Sequence, residues 1–142
     1  MKTSEEGIQF IMDCEGFRGR MYYDAAGHPT IGYGHTKITS KDTVTKEEAK
    51  QLLIEDIGRF EMDLNRLKLD INQKQFDALI SFTFNLGFAR LLHSNIVRFI
   101  DEEKWKLAAE EIKKYDHALV SGEMVVLKGL TKRREHEAKA FF

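Results

Sequence analysis

Between Asn72 and Gly87 the chain carries Phe76, Ala78, Leu79, Ile80, Phe82, Phe84 and Leu86, a run apolar on nearly every face of a helix. A helix with no polar face cannot border water, so other elements must wrap it on all sides. This one run therefore predicts a central buried helix with a bundle around it. Asn72 with Gln75 forms a capping box at its start, and Gly87 ends it. Thr45 with Glu48 repeats the capping pattern, followed by Ala49, Leu52, Leu53, Ile57, Phe60, Leu64 and Leu67 at helical spacing. That spacing predicts one long amphipathic helix over 46–68. A single proline in 142 residues leaves such helices uninterrupted.

The flanking segments are shorter. Ser4 caps a first helix with Glu5 and Glu6 in its first turn, an apolar stripe of Ile8, Ile11, Met12 and Cys14, and Gly16 as its stop. In that stripe Cys14 is expected to be a buried, inert thiol. Helical spacing then disappears over 17–40, where Gly19, Gly27, Gly32 and Gly34 punctuate the run. Met21–Asp24 and Thr30–Tyr33 are β-prone, Asp24–Gly27 reads as a turn, and Pro29 places its strand at an edge. Further helices are predicted near 94–101, 104–116 and 131–141, the last capped by Thr131, with Gly122 and Gly129 bracketing a loop. Phe76, Phe82 and Trp105 are assigned to the core. The fold class is thus α+β: a small N-terminal antiparallel sheet, then helices around a buried central one. Residues 1–142 form one domain, with the sheet-containing lobe near 15–60.

Composition removes several functions. Lys and Arg total 22 against 23 Asp and Glu, a net charge of −1, which excludes a nucleic-acid binder working by bulk charge. One cysteine excludes a disulfide framework and a Cys-rich zinc module. The polar N-terminus lacks an apolar h-region, and no window approaches the ~20 apolar residues of a membrane span. The expectation is a chain made in a cytoplasm, without a membrane anchor, and released by something else if it acts outside.

Reactive side chains gather at the sheet. Glu15 ends the first helix, and Asp24 follows nine residues on, at the turn. Glycosidases need two carboxyl groups in unlike environments, one protonated and one ionised. An apolar stripe and a helix C-terminus disfavour charge on Glu15, which suits it to the first role. A polar, glycine-bounded turn suits Asp24 to the second. Thr30 follows on the next β-prone piece, where by itself it reads as a plain strand residue. His35 reads as a structural histidine tying the sheet to the first helix. His28, His35 and Asp24 lack convincing metal-ligand spacing, so no metal site is expected. The glycines 27, 32 and 34 serve tight turns and close backbone approach, not a nucleotide fingerprint, since no parallel βαβ unit surrounds them.

The order Glu15-Gly16, Tyr23-Asp24, Gly27, then Thr30-Ile31-Gly32-Tyr33-Gly34-His35 resembles the signature of bacteriophage lysozymes, the endolysins that cleave peptidoglycan. Gln75–Gly87 looks like that family's central helix, and Gly129-Leu130 with Arg133-Arg134 and Glu137 like the closing segment of temperate-phage endolysins. The resemblance covers nearly the whole chain. It implies hydrolysis of the β-1,4 bond between N-acetylmuramic acid and N-acetylglucosamine, with no cofactor. Glu15 would be the general acid, Asp24 and Thr30 would position and activate water, and the outcome would be inversion. Arg133 would be the basic residue reaching the acid. Thr36, Phe84, Asn85 and Asn95 would contact sugars in a cleft between sheet and bundle. The partner would be a peptidoglycan glycan strand, the enzyme a monomer, and release would depend on a separate holin. Arg18, Arg20 and the 128–134 segment could form a basic rim that offsets the neutral net charge. A non-catalytic lysozyme-like wall-binding domain is the alternative; it would need a broken acid, aspartate and threonine set. A helical partner-binding module would leave the glycine-rich hairpin unexplained.

Overall fold

The computed structural model of the chain describes residues 1–36 and 42–142, so the last residues of the 17–40 stretch lie outside the described ones. Helix α1 (Glu5–Glu15) is capped by Ser4, whose hydroxyl accepts from the Gly7 amide. Strands β1 (Arg18–Tyr23) and β2 (Pro29–Gly32) pair antiparallel, with Tyr22 opposite Thr30. The predicted turn is present: the Gly27 amide donates to the Asp24 carbonyl, at a φ of 83° that favours glycine.

Helix α2 (Lys46–Arg66) starts at the complete Thr45–Glu48 capping box. Helix α3 (Gln73–Leu86) starts at the complete Asn72–Gln75 box and ends at Gly87. Phe76, Ala78, Leu79, Ile80 and Phe82 are all buried, so α3 is the central helix. It packs against α1, α2 and the C-terminal helix α7 (Lys128–Ala138). Trp105 is part-buried and stacks on Phe141 at 6.4 Å, an extension of the core.

Three expectations change. A short helix α4 (Phe88–His93) follows Gly87 directly, then α5 (Ile96–Asp101) and α6 (Trp105–Lys113). The loop expected between Gly122 and Gly129 holds strand β4 (Glu123–Val126), which pairs with β3 (His117–Val120) in a second hairpin. Ser121 and Gly122 both have positive φ, 50° and 84°, as a two-residue hairpin turn with the sheet's own twist requires. Thr131 does not cap the last helix. The helix opens at Leu127, and the Thr131 hydroxyl donates to Asp116 Oδ2 (3.0 Å) and to the Leu127 carbonyl (3.2 Å), so it sits inside the first turn. Gly129 is helical as well. No helix among the described residues is long and apolar enough to cross a membrane.

Helices α1 and α7 are held partly by Phe10 stacked on His136, with centroids 3.8 Å apart. Desolvation, and then the charge of Lys139, hold the His136 imidazole below its ordinary pKa. The folded state therefore binds a proton less readily than the unfolded chain, whose histidine titrates near about 6.5. The stability this contributes is present above that pH and is lost below it, as pH falls through the lower folded pKa. His136→Gln should flatten the decline in Tm between about pH 7.5 and 5.5. An identical decline in both proteins would contradict this.

Candidate active site

Glu15 is the last residue of α1, because Gly16 (φ 73°) turns the chain away and its amide closes on the Met12 carbonyl. The tight turn between Ile31 and His35, which exchange two backbone hydrogen bonds of 2.9 Å, brings Gly34 against this helix end. A Cβ on Gly34 would stand 3.0 Å from Glu15 Oε1 in a backbone conformation with φ 75°. Only glycine meets both demands without displacing the carboxylate. Gly32 plays the same part toward α2, where a Cβ would meet that of Ala49 at 3.0 Å.

The other carboxylate oxygen of Glu15 receives Arg133 NH1 at 2.7 Å. Arg133 is buried. Its Nε donates to Ser81 Oγ (3.2 Å) and its NH2 to the Ser81 carbonyl (3.1 Å). Glu15 is thus clamped between a glycine backbone and a guanidinium, with about a fifth of its side chain exposed. Of the three consecutive cations, only Lys132 is on the surface. Arg134 is fully buried, 2.7 Å from Glu137. The basic rim therefore reduces to exposed Arg18, Arg20, Lys128 and Lys132.

Asp24 is held by the turn it starts. Its Oδ1 accepts from the amides of His28 (2.8 Å) and Ala26 (2.9 Å), and His28 Nδ1 lies 3.4 Å from Oδ2. The His28 amide, chiefly, keeps this carboxyl below the usual carboxylate range; the Ala26 amide and the His28 ring add to it. Asp24 is accordingly ionised at neutral pH, as its place in a polar turn predicts. Thr30 is buried and donates its hydroxyl proton to the His28 carbonyl at 2.9 Å. The same carbonyl accepts from the Asp24 amide, also at 2.9 Å. The His28 backbone therefore joins the two candidates.

His35 is structural in its contacts, but its partner differs from the expected one. Its Nδ1 lies 2.8 Å from Asp56 Oδ2 on α2, so it ties the sheet to the second helix, not the first. Cys14 also departs from expectation. One turn from Ile11 it faces outward and is exposed. Its thiol pKa is still raised, mainly by partial desolvation.

An open pocket of about 600 Å³ contains Glu15. Its lining includes Cys14, Asn85, Leu127, Lys132 and Arg133, drawn from the ends of α1 and α3 and the start of α7. None of its lining residues comes from β1 or β2, so this pocket lies within the helical side and not at the expected seam. Asn85 is the sugar-contact candidate that it does contain, and Asn85 Oδ1 is buried with no hydrogen-bond partner among the described residues. Phe84 is half-buried, edge-on to Phe60 at 6.0 Å. Thr36 is exposed beside His35. Asn95 stands apart at the α4–α5 junction, its amide on Glu111 and its Oδ1 near Arg98. No group of three or more His, Cys, Asp or Glu among the described residues could hold a metal.

Sequence reasoning assigned no task to Ser81 or Glu137. Two signals were available: a serine inside an otherwise apolar helix, and a glutamate three and four residues after paired arginines, where one helix face brings them together.

Comparison with known proteins agrees with this architecture. The Phage lysozyme family model matches residues 12–137. An endolysin of Acyrthosiphon pisum secondary endosymbiont phage 1 is 37% identical over 100% of this chain and 98% of its own length. An endolysin of Bacillus phage B103 is 34% identical over 99% of this chain, which spans only 54% of that protein. The solved muramidase domain of SpmX from Asticaccaulis excentricus superposes with a TM-score of 0.91 at 34% identity, covering 99% of this chain and 97% of that one. With the family signature matched over most of its length and the fold shared throughout, the chain belongs to the phage lysozyme family, muramidase-type glycoside hydrolases that lyse peptidoglycan.

Proposed function

We propose that the chain hydrolyses the β-1,4 bond between N-acetylmuramic acid and N-acetylglucosamine, with Glu15 as general acid and Asp24 and Thr30 directing water. The observation that carries this is the pair of unlike carboxyl groups. Glu15 is partly buried and clamped at a pocket. Asp24 is held ionised by backbone amides. Glu15 gives its proton to the leaving oxygen as the glycosidic bond breaks. Arg133 then stabilises the carboxylate left behind through its charge-assisted hydrogen bond. Because Thr30 spends its own proton on the His28 carbonyl, its oxygen is left to accept from the attacking water. Asp24 takes the proton that the water loses when it attacks the anomeric carbon on the face opposite the leaving group, so the configuration inverts.

Asn85 supplies an unpaired buried acceptor, suited to an amide or hydroxyl of the sugar. Phe84, Thr36 and Asn95 are assigned to the same glycan strand at greater distance. The enzyme works as a monomer, needs no cofactor, and reaches the wall once a separate holin has opened the membrane.

The test is release of reducing ends from purified, insoluble peptidoglycan. Soluble fragments with new reducing ends are expected. Tight retention on the insoluble wall without any release would overturn the catalytic reading and favour a binding domain.

A further inference from the structure

Behind Arg133 lies a second layer of charge that the reaction does not touch. Glu137 is fully buried, and its carboxylate makes four contacts with three side chains. Oε1 lies 2.7 Å from Arg134 Nε. Oε2 accepts from Ser81 Oγ at 2.5 Å and from Arg134 NH2 at 3.0 Å, and lies 3.6 Å from Arg133 Nε. Arg134 is fixed in turn: its NH1 reaches the Tyr115 carbonyl at 3.4 Å, and its guanidinium lies 5.1 Å from the Phe82 ring centroid.

Burying two guanidiniums and a carboxylate is costly, and well-packed apolar side chains of similar volume are often as stable or more so. Burial indeed opposes the charge on Glu137 and raises its pKa, against the pull of Arg134. What the cluster delivers that apolar packing could not is a fixed direction for one side chain. Ser81 stands at the centre. Its hydroxyl donates to Glu137, so its lone pair is turned toward Arg133 Nε, and its carbonyl takes Arg133 NH2. Only NH1 is left over, and NH1 is the atom on Glu15. A guanidinium is planar, so fixing two of its nitrogens fixes the third.

We propose that Glu137 and Ser81 are positioning residues for the reaction: Glu137 orients the Ser81 hydroxyl, Ser81 orients the Arg133 guanidinium, and Arg133 sets the Glu15 carboxylate. This rests on the reading of Glu15 as the acid. A supporting shell of this kind governs rate because a displacement near 1 Å at the reacting group costs up to about 10²-fold.

The test is a double-mutant cycle on a soluble peptidoglycan oligosaccharide, read as kcat and KM, with thermal unfolding as the control for folding. Ser81→Ala and Glu137→Gln should each lower kcat about tenfold and leave KM within about twofold, since the hydrogen bond each one removes lies behind the acid and not on the sugar. In an Arg133→Met background, itself roughly a hundredfold down, neither change should lower kcat further, because both act through Arg133. Additive losses in that background, or a folded Ser81→Ala with unchanged kcat, would overturn the proposal. Should Glu137→Gln not fold, Ser81→Ala still decides, since it leaves all four charges in place. A Glu15→Gln enzyme that still turned over would count against the acid assignment alone, and the cycle would still report whether Ser81 and Glu137 act through Arg133.

Discussion

Glu15→Gln should yield a folded chain that no longer clears a peptidoglycan suspension, with kcat lower by roughly 10²–10⁴, the span that a general acid contributes. The amide matches the carboxylate in shape, and its oxygen can still accept from Arg133 NH1, so the clamp between Gly34 and Arg133 survives. What disappears is the transferable proton. An uncharged partner leaves Arg133 with less compensation, but Glu137 stays within 3.6 Å of its Nε, so the guanidinium is not stranded. Stability should therefore move by no more than about 1 kcal/mol. Turbidity clearance and urea unfolding together give the answer. Near-normal clearance by the folded variant would remove Glu15 from the mechanism.

Phe82→Ala should have the largest effect on stability, about 3–5 kcal/mol, as for other buried aromatic truncations. Phe82 is fully buried in α3, edge-on to Tyr115 at 5.3 Å and beside the Arg134 guanidinium at 5.1 Å. Its loss opens a cavity in the central helix and uncovers a buried cation at the same time. Against a total of about 5–15 kcal/mol for a domain of this size, that is a large share. Phe82→Leu, which refills part of the space, should cost clearly less. The urea midpoint measures both. A shift for Phe82→Ala equivalent to less than about 1 kcal/mol would mean that α3 is not the centre of the core.

What was legible in the chain follows from how local the signal is. Both capping boxes, the all-round apolar helix and the Asp24–Gly27 turn are written within a few residues, and each appears where expected. The second hairpin was harder. Leu119, Val120, Met124 and Val126 are all exposed, so its strands lack the alternation of one buried and one solvated face. Only the Ser121-Gly122 pair marks it. The N-terminus of α7 lies before the one the sequence suggests, because Thr131 is a good capping residue whose hydroxyl is engaged by Asp116, fifteen residues back.

At the site, Glu15, Asp24 and Thr30 could be named because a family motif places them in order. The physical reading of spacing alone left them as two carboxyl groups and a hydroxyl. The contact of Arg133 with Glu15 across 118 residues is implied by the family resemblance alone. Other long-range partners are not legible: His35 meets Asp56 across 21 residues, a separation at which sequence pattern carries no register. The Ser81–Glu137 bond, across 56 residues, is of the same kind.

The central claim is attack by water on a bond protonated by Glu15. It is tested most directly by digesting peptidoglycan in ¹⁸O-labelled water and analysing the released ends by mass spectrometry. The expected product is a reducing N-acetylmuramic acid end carrying one ¹⁸O, since the new hydroxyl comes from solvent. An unlabelled 1,6-anhydro muramic acid end would mean that the sugar's own hydroxyl had attacked, and would contradict the roles given to Asp24 and Thr30.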